Sequence, residues 1–203
     1  METFRDTLGK FMVPAGRLLA AMGIHPHVLS ISGIVFGVLS GYLFVTGHLA
    51  WAVTCFVLSG LSDVVDGMVA RARGMASPFG SFFDNFCSAY TDSAAFAGLI
   101  LAGLCTPFWG LGALLGTFAR LLTWRLDGIV SRDEGQALRS RFPHALSGKG
   151  DRIVLVGLGV VFGRVDLAMA IIAISTNAIA FYRCYHLWRL TSTPQPTTSV
   201  RAA

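Results

Sequence analysis

The sequence predicts an all-α integral membrane protein: six transmembrane helices preceded by an amphipathic helix, with both termini cytoplasmic. Three observations predict it. The 203 residues are 54% hydrophobic and only 13% charged, with a mean hydropathy of +0.63, too apolar for a soluble domain of this length. Apolar stretches able to cross about 30 Å of hydrocarbon recur along the chain. If the first 26 residues are cytoplasmic, all 16 lysines and arginines except Arg164 fall on the inner side or at helix ends facing it, as retention of basic residues requires. The net charge of +5 then describes a one-sided basic surface. Such a surface suits anionic headgroups or phosphorylated substrates and argues against nucleic acid as a partner.

The elements follow in order. In the first 24 residues Phe11, Met12, Leu18, Leu19 and Met22 are interleaved with charges, which predicts an amphipathic helix on the cytoplasmic face; a frayed tail is the alternative. No cleavable signal peptide is evident. Spans are expected over 27–47, 50–71, 79–104, 107–126, 150–163 and 166–188. The fifth is short for a span and is expected to begin earlier, near Ala145. From Thr191 the sequence TSTPQPTTSVRAA predicts a disordered tail. No linker rich in Pro, Gly or Ser divides the chain, so residues 1–190 form one membrane domain. Cys55, Cys87, Cys105 and Cys184 show no CxxC spacing and are expected to be small packing residues. Glycines inside spans, such as Gly33, Gly37, Gly41, Gly60 and Gly98, allow close helix approach.

The chemistry concentrates in SDVVDGMVARARGMASPFGSFFDNFCSAYTD, residues 62–92. Asp63 and Asp66 stand three residues apart near the end of the second span and share a helix face. Asp84 begins the third span after a short polar turn, so antiparallel packing brings it opposite the other two. A charge in a span costs at least about 2.5 kcal/mol on insertion scales, which makes three convergent carboxylates a functional feature by default. The structural alternative is neutralisation by Arg71, Arg73 or Arg120 in a plain ion-pair network. Carboxylate oxygens without His or thiolate favour Mg²⁺ or Mn²⁺. Because Mg²⁺ completes its shell with water and substrate phosphates, a pyrophosphate-bearing substrate is expected. Gly67 and Ala70 clear space beside the cluster for a flat base and ribose.

Asp63-x-x-Asp66-Gly67-x-x-Ala70-Arg71, eight residues, then Gly80-x-x-x-Asp84 resembles the CDP-alcohol phosphotransferase signature DxxDGxxARx8GxxxDxxxD at every fixed position but the last. The resemblance implies a cytoplasm-facing site in which Asp63, Asp66 and Asp84 hold two Mg²⁺ (or Mn²⁺) ions against the pyrophosphate of a CDP-linked lipid. An acceptor hydroxyl attacks the lipid-side phosphorus and CMP leaves. It also implies CDP contacts for Gly67, Ala70, Arg71 and Ser77. The stretch HPHVLS resembles the family's TPNxLT segment, so His27, Val28, Leu29 and Ser30 are expected to close over the nucleotide; for Ser30 a helix-capping role is the alternative. A homodimer is implied by the family alone. Gly98, Gly103, Gly110, Gly112 and Gly116 are either its interface or packing positions within one bundle.

The family's last aspartate is a metal ligand and the proposed general base; here it is Ser88. A serine hydroxyl neither takes a proton at neutral pH unaided nor ligates a hard dication well. Three accounts follow. Asp92 supplies the base, although it lies about 80° around the helix from Asp84. Or the protein binds CDP-lipid with little or no turnover, as a regulatory or partner subunit. Or the serine is a recent departure from an ordinary synthase. A transporter is a weaker possibility, because the cluster lies away from the membrane midplane.

For the acceptor, Arg120, Arg125, Lys149, Arg152 and Arg183 gather on the inner side, and guanidinium forks match phosphate oxygens; ordinary inner-side retention is the alternative. GKGDRIVLV and FYRCYHLW resemble segments of the phosphatidylinositol-phosphate synthases, in which arginines at the positions of Arg152 and Arg183 hold inositol phosphate. The segment FARLLTWRLDGIVSRDEGQALRSRF does not resemble its counterpart there. Inositol phosphate is the first acceptor, with glycerol phosphate or an amino alcohol open, and the lipid backbone is not readable.

Overall fold

The computed structural model describes residues 25–75, 77–126 and 148–192, apart from the side chains of residues 124–126, 190 and 191. Among these residues there are six helices and no strand: α1 (Pro26–Val45), α2 (Leu49–Ala72), α3 (Pro78–Leu101), α4 (Pro107–Leu126), α5 (Lys149–Val161) and α6 (Val165–Ser192). Each lies within a few residues of the predicted span, and α6 extends to Ser192, past the expected start of the tail at Thr191. The amphipathic helix, the proposed start of the fifth span near Ala145 and the tail beyond Ser192 lie outside the described residues.

Local sequence explains the boundaries. α1, α3 and α4 open on Pro26, Pro78 and Pro107, where a missing N–H costs nothing. The side chain of His25 accepts from the His27 N–H at 3.3 Å, so the α1 cap is His25 and not Ser30. Ser77 Oγ accepts from the Gly80 N–H at 3.0 Å and caps α3. α2 ends in a Schellman turn: the Met75 N–H reaches the Ala70 carbonyl at 2.9 Å and the Gly74 N–H reaches Arg71 at 3.2 Å. Gly74 takes a φ of 64°, a conformation that favours glycine. This reversal folds α3 back along α2 and carries Asp84 toward Asp63 and Asp66.

Among the described residues, three helices are long and apolar enough to cross a membrane: α1, α2 and the Val165–Arg189 part of α6. α3 and α4 have the length, 24 and 20 residues, but α3 carries Asp84, Asp92 and several hydroxyls, and α4 carries Arg120 and Arg125. α5 has 13 residues, about 20 Å at 1.5 Å per residue. α1 packs on α2 and α3, α4 on α6 and α3, and α5 on α6 and α2. Phe44, Phe56, Phe96, Leu99, Met169 and Ile172 fill the centre. Trp51, Leu101, Phe108, Leu115, Phe162 and Phe181 face outward, as a lipid-contacting surface requires.

Small residues set the closest contacts. A Cβ on Gly41 would strike the Ala94 carbonyl, one on Gly98 would strike the Gly41 backbone, and one on Gly37 would strike Thr91. Thr91 also donates to the Gly33 carbonyl at 3.3 Å. This seam locks α1 onto α3. Gly110, Gly112 and Gly116 likewise meet Ile100, Ala173 and Thr176 within the chain, while Gly103 sits at a turn with a φ of 67°. Cys55, Cys87 and Cys105 are buried as expected, but Cys184 is exposed.

Backbone cannot rotate away from an added side chain. Gly98→Val is therefore expected to destabilise the bundle by about 1–3 kcal/mol or more, read as a lower melting temperature in detergent. Gly157→Ala, whose Cβ would make an ordinary 3.6 Å contact with Val53, is expected to be neutral or stabilising.

Candidate active site

Alternating helix directions bring the start of α1, the end of α2, the start of α3, the end of α4, the start of α5 and the end of α6 to one end of the bundle. There Asp63, Asp66 and Asp84 each offer an oxygen within 4.8 Å of the others'. Asp66 is buried; Asp63 and Asp84 are half-buried. Ser30 Oγ donates to Asp66 Oδ2, with the Pro26 carbonyl 3.3 Å away as the alternative acceptor, so Ser30 orients a carboxylate and does not cap the helix. The Lys149 ammonium lies 3.2 Å from Asp63 Oδ1 and 3.3 Å from the Ser59 carbonyl. Among the described residues, the ion-pair partner of Asp63 is Lys149.

Asp84 Oδ1 is buried without a hydrogen-bond partner, a costly arrangement unless a cation meets it. The donor set is all oxygen and the geometry is convergent, which fits Mg²⁺ or Mn²⁺.

A cavity opens beside the cluster. Of the residues expected to bind CDP, His27, Ser30, Gly67, Ala70, Arg71 and Ser77 line it, together with Asp66 and Asp84. Val28 and Leu29 do not: Val28 points outward and is 58% exposed, and Leu29 is half-buried elsewhere on the helix. Sequence reasoning missed His25, Met75 and Ser81, which also line the cavity. The HPH dipeptide spacing was the available signal for His25, since a residue just before Pro at a helix start faces the same end as the first turn. Gly67 leaves the floor open, for its Cβ would sit 3.3 Å from an Arg71 nitrogen. His27 packs edge-on to Phe83 at 5.1 Å and forms the aromatic side of the opening.

Deeper on the other side, Arg152 Nη2 lies 2.6 Å from Asp92 Oδ2, with side chains 1% and 0% exposed. Arg120 stands within electrostatic reach of Arg152, Arg183, Asp92 and Asp63, so α4, α5 and α6 each contribute a guanidinium around one buried carboxylate. Two expectations change here. Asp92 is committed to Arg152 and sealed from solvent, which removes it as a substitute base. Lys149 is committed to the carboxylate cluster rather than to a phosphate pocket. Ser88 is buried between the two groups of charges, and the side chain of Arg125 lies outside the described residues.

Residues 23–181 match the CDP-alcohol phosphatidyltransferase family. The chain belongs to that family. It is 32% identical over 161 residues to the phosphatidylinositol phosphate synthase of Mycobacteroides abscessus, covering 78% of this chain and 71% of that protein. It is 26% identical over 170 residues to the archaetidylinositol phosphate synthase of Pyrococcus horikoshii, covering 84% and 87%. The fold resembles that of Mycobacterium tuberculosis phosphatidylinositol phosphate synthase with CDP-DAG bound, with a TM-score of 0.61, 22% identity and coverage of 96% and 99%. The same enzyme in complex with manganese and citrate gives a TM-score of 0.60 at 22% identity, covering 95% and 93%. The general reaction of the family, transfer of a phosphatidyl-type group from a CDP-alcohol, follows for this chain.

Removing one partner of a buried pair strands the other charge. Asp92→Asn is expected to cost about 3–5 kcal/mol, seen in thermal unfolding in detergent. Asp92→Leu combined with Arg152→Met should recover most of that loss, because no buried charge is left behind.

Proposed function

We propose that this chain transfers a phosphatidyl-type group from a CDP-linked lipid to inositol phosphate, with release of CMP, at the cytoplasmic end of its bundle. The observation that carries this reading is the pairing, at one end of the fold, of a convergent carboxylate cluster and cavity with three arginines from α4, α5 and α6. The cluster suits a metal-bound pyrophosphate and the arginines suit a phosphorylated acceptor. The named relatives differ in lipid, phosphatidyl in one and archaetidyl in the other, but share inositol phosphate in their names. That common feature favours the acceptor and leaves the lipid backbone as the variable part. The cytoplasmic orientation rests on the gathering of basic residues at this end, with Arg164 exposed at the other.

Asp63, Asp66 and Asp84 would hold Mg²⁺ or Mn²⁺, which when bound polarises the pyrophosphate oxygens and stabilises the leaving phosphate. Gly67 admits the nucleotide close to α2, and the exposed Arg71 at the rim supplies positive charge to the diphosphate. Arg120 and Arg183 would meet the inositol phosphate, with Arg152 held beside them by Asp92. The acceptor oxygen forms a bond to the lipid-side phosphorus, the bond from that phosphorus to the bridging oxygen breaks, and the electron pair leaves on the phosphate of CMP. The hydroxyl proton must be lost as this happens, and at position 88 the side chain is a serine.

Loss of a general base typically costs about 10²–10⁴ in rate. The expected outcome with Mg²⁺, CDP-diacylglycerol and inositol phosphate is therefore slow, acceptor-dependent CMP release, abolished by Asp84→Asn and raised about 10²–10⁴-fold by Ser88→Asp. Glycerol phosphate should not replace inositol phosphate. Release only from Ser88→Asp would assign the native chain to CDP-lipid binding or regulation, and silence from both with every acceptor would sink the reading.

A further inference from the structure

Resting on the reading that the carboxylates hold a divalent cation, we infer that the free protein holds one such ion and not two, because Lys149 and Ser88 together remove the second position. Four observations lead there. A two-ion site needs enough anionic ligands, and this cluster has three carboxylates where the family signature has four; position 88 offers a hydroxyl, a poor ligand for a hard dication. The Lys149 ammonium is seated on the cluster, 3.2 Å from Asp63 Oδ1 and anchored by the Ser59 carbonyl at 3.3 Å. Its side chain is 8% exposed, so it is a fixed cation, not a solvated rim charge. Ser30 occupies Asp66 Oδ2.

The charges and the oxygens give the same result. Three carboxylates and one ammonium carry a net charge of −2, which one divalent ion neutralises; a second would leave an uncompensated +2 in a poorly solvated site. With Asp63 Oδ1 held by the ammonium and one lone pair of Asp66 Oδ2 taken by Ser30, the open ligand positions include the unpartnered Asp84 Oδ1. Mg²⁺ uses one or two carboxylates and completes an octahedron with water, so these positions serve one ion comfortably. Lys149 thus stands in for part of the second ion's charge beside Asp63.

The test is a Mn²⁺ titration of the purified full chain in detergent, with free Mn²⁺ read by electron paramagnetic resonance and no nucleotide present. The expected result is one Mn²⁺ per chain, lost in Asp84→Asn. Ser88→Asp should bind two. Lys149→Met should bind its first Mn²⁺ at least about tenfold more tightly, as removal of a unit charge a few ångströms away predicts. Two ions bound by the native chain would overturn the inference while leaving the proposed reaction standing. No Mn²⁺ bound, or binding that survives Asp84→Asn, would overturn the inference together with the metal reading on which it rests. Should Lys149→Met fail to fold, the native stoichiometry and Ser88→Asp still decide the question.

Discussion

Carboxylates desolvated at the end of this bundle need cations to meet them, and two such pairs organise the packing of α5. Asp63 meets Lys149 and Asp92 meets Arg152. Both cations come from the first turn of α5, and the anions come from α2 and α3. Without α5 docked at that register, two carboxylates would lie desolvated and unpaired, at a cost of several kcal/mol each. The short α5, too brief to be a convincing span by itself, is therefore held in place by electrostatics as much as by its apolar face.

The small-residue seam between α1 and α3 has a complementary role. Because Gly37, Gly41 and Gly98 let the two backbones touch, the start of α1 lies against the start of α3, where His27 packs on Phe83 and His25 and His27 wall the cavity. Packing along the middle of α1 and α3 thus fixes polar geometry at their ends. A larger residue in the seam would open the cavity wall without touching any residue of the site.

The departure at position 88 gains meaning from its surroundings. Ser88 lies between the carboxylate cluster and the arginine group, and the nearest candidate replacement, Asp92, is already neutralised by Arg152. The site keeps three convergent carboxylates, a cavity and a group of arginines, and on the proposed reading position 88 is where a base is lacking. Charge at the cluster is lowered twice, by the serine and by the lysine, and both changes bear on the reaction rather than on the fold.

The helices, their order, the carboxylate triad and the family were legible in the sequence because each depends on local periodicity or fixed spacing: apolar runs, proline and glycine at helix ends, Asp63, Asp66, Gly67 and Asp84 at set intervals. The partners of the charges were not legible. Lys149 and Arg152 stand three residues apart and both read as phosphate ligands, yet one faces Asp63 and the other Asp92, because a turn of α5 carries them to different depths. Val28 and Leu29 read as part of a nucleotide-closing segment, but helical rotation sends Val28 to the outside. Sequence by itself determined which elements form and which chemistry they carry; the tertiary structure alone decided which charge meets which, since that depends on helix rotation and depth between segments far apart in the chain.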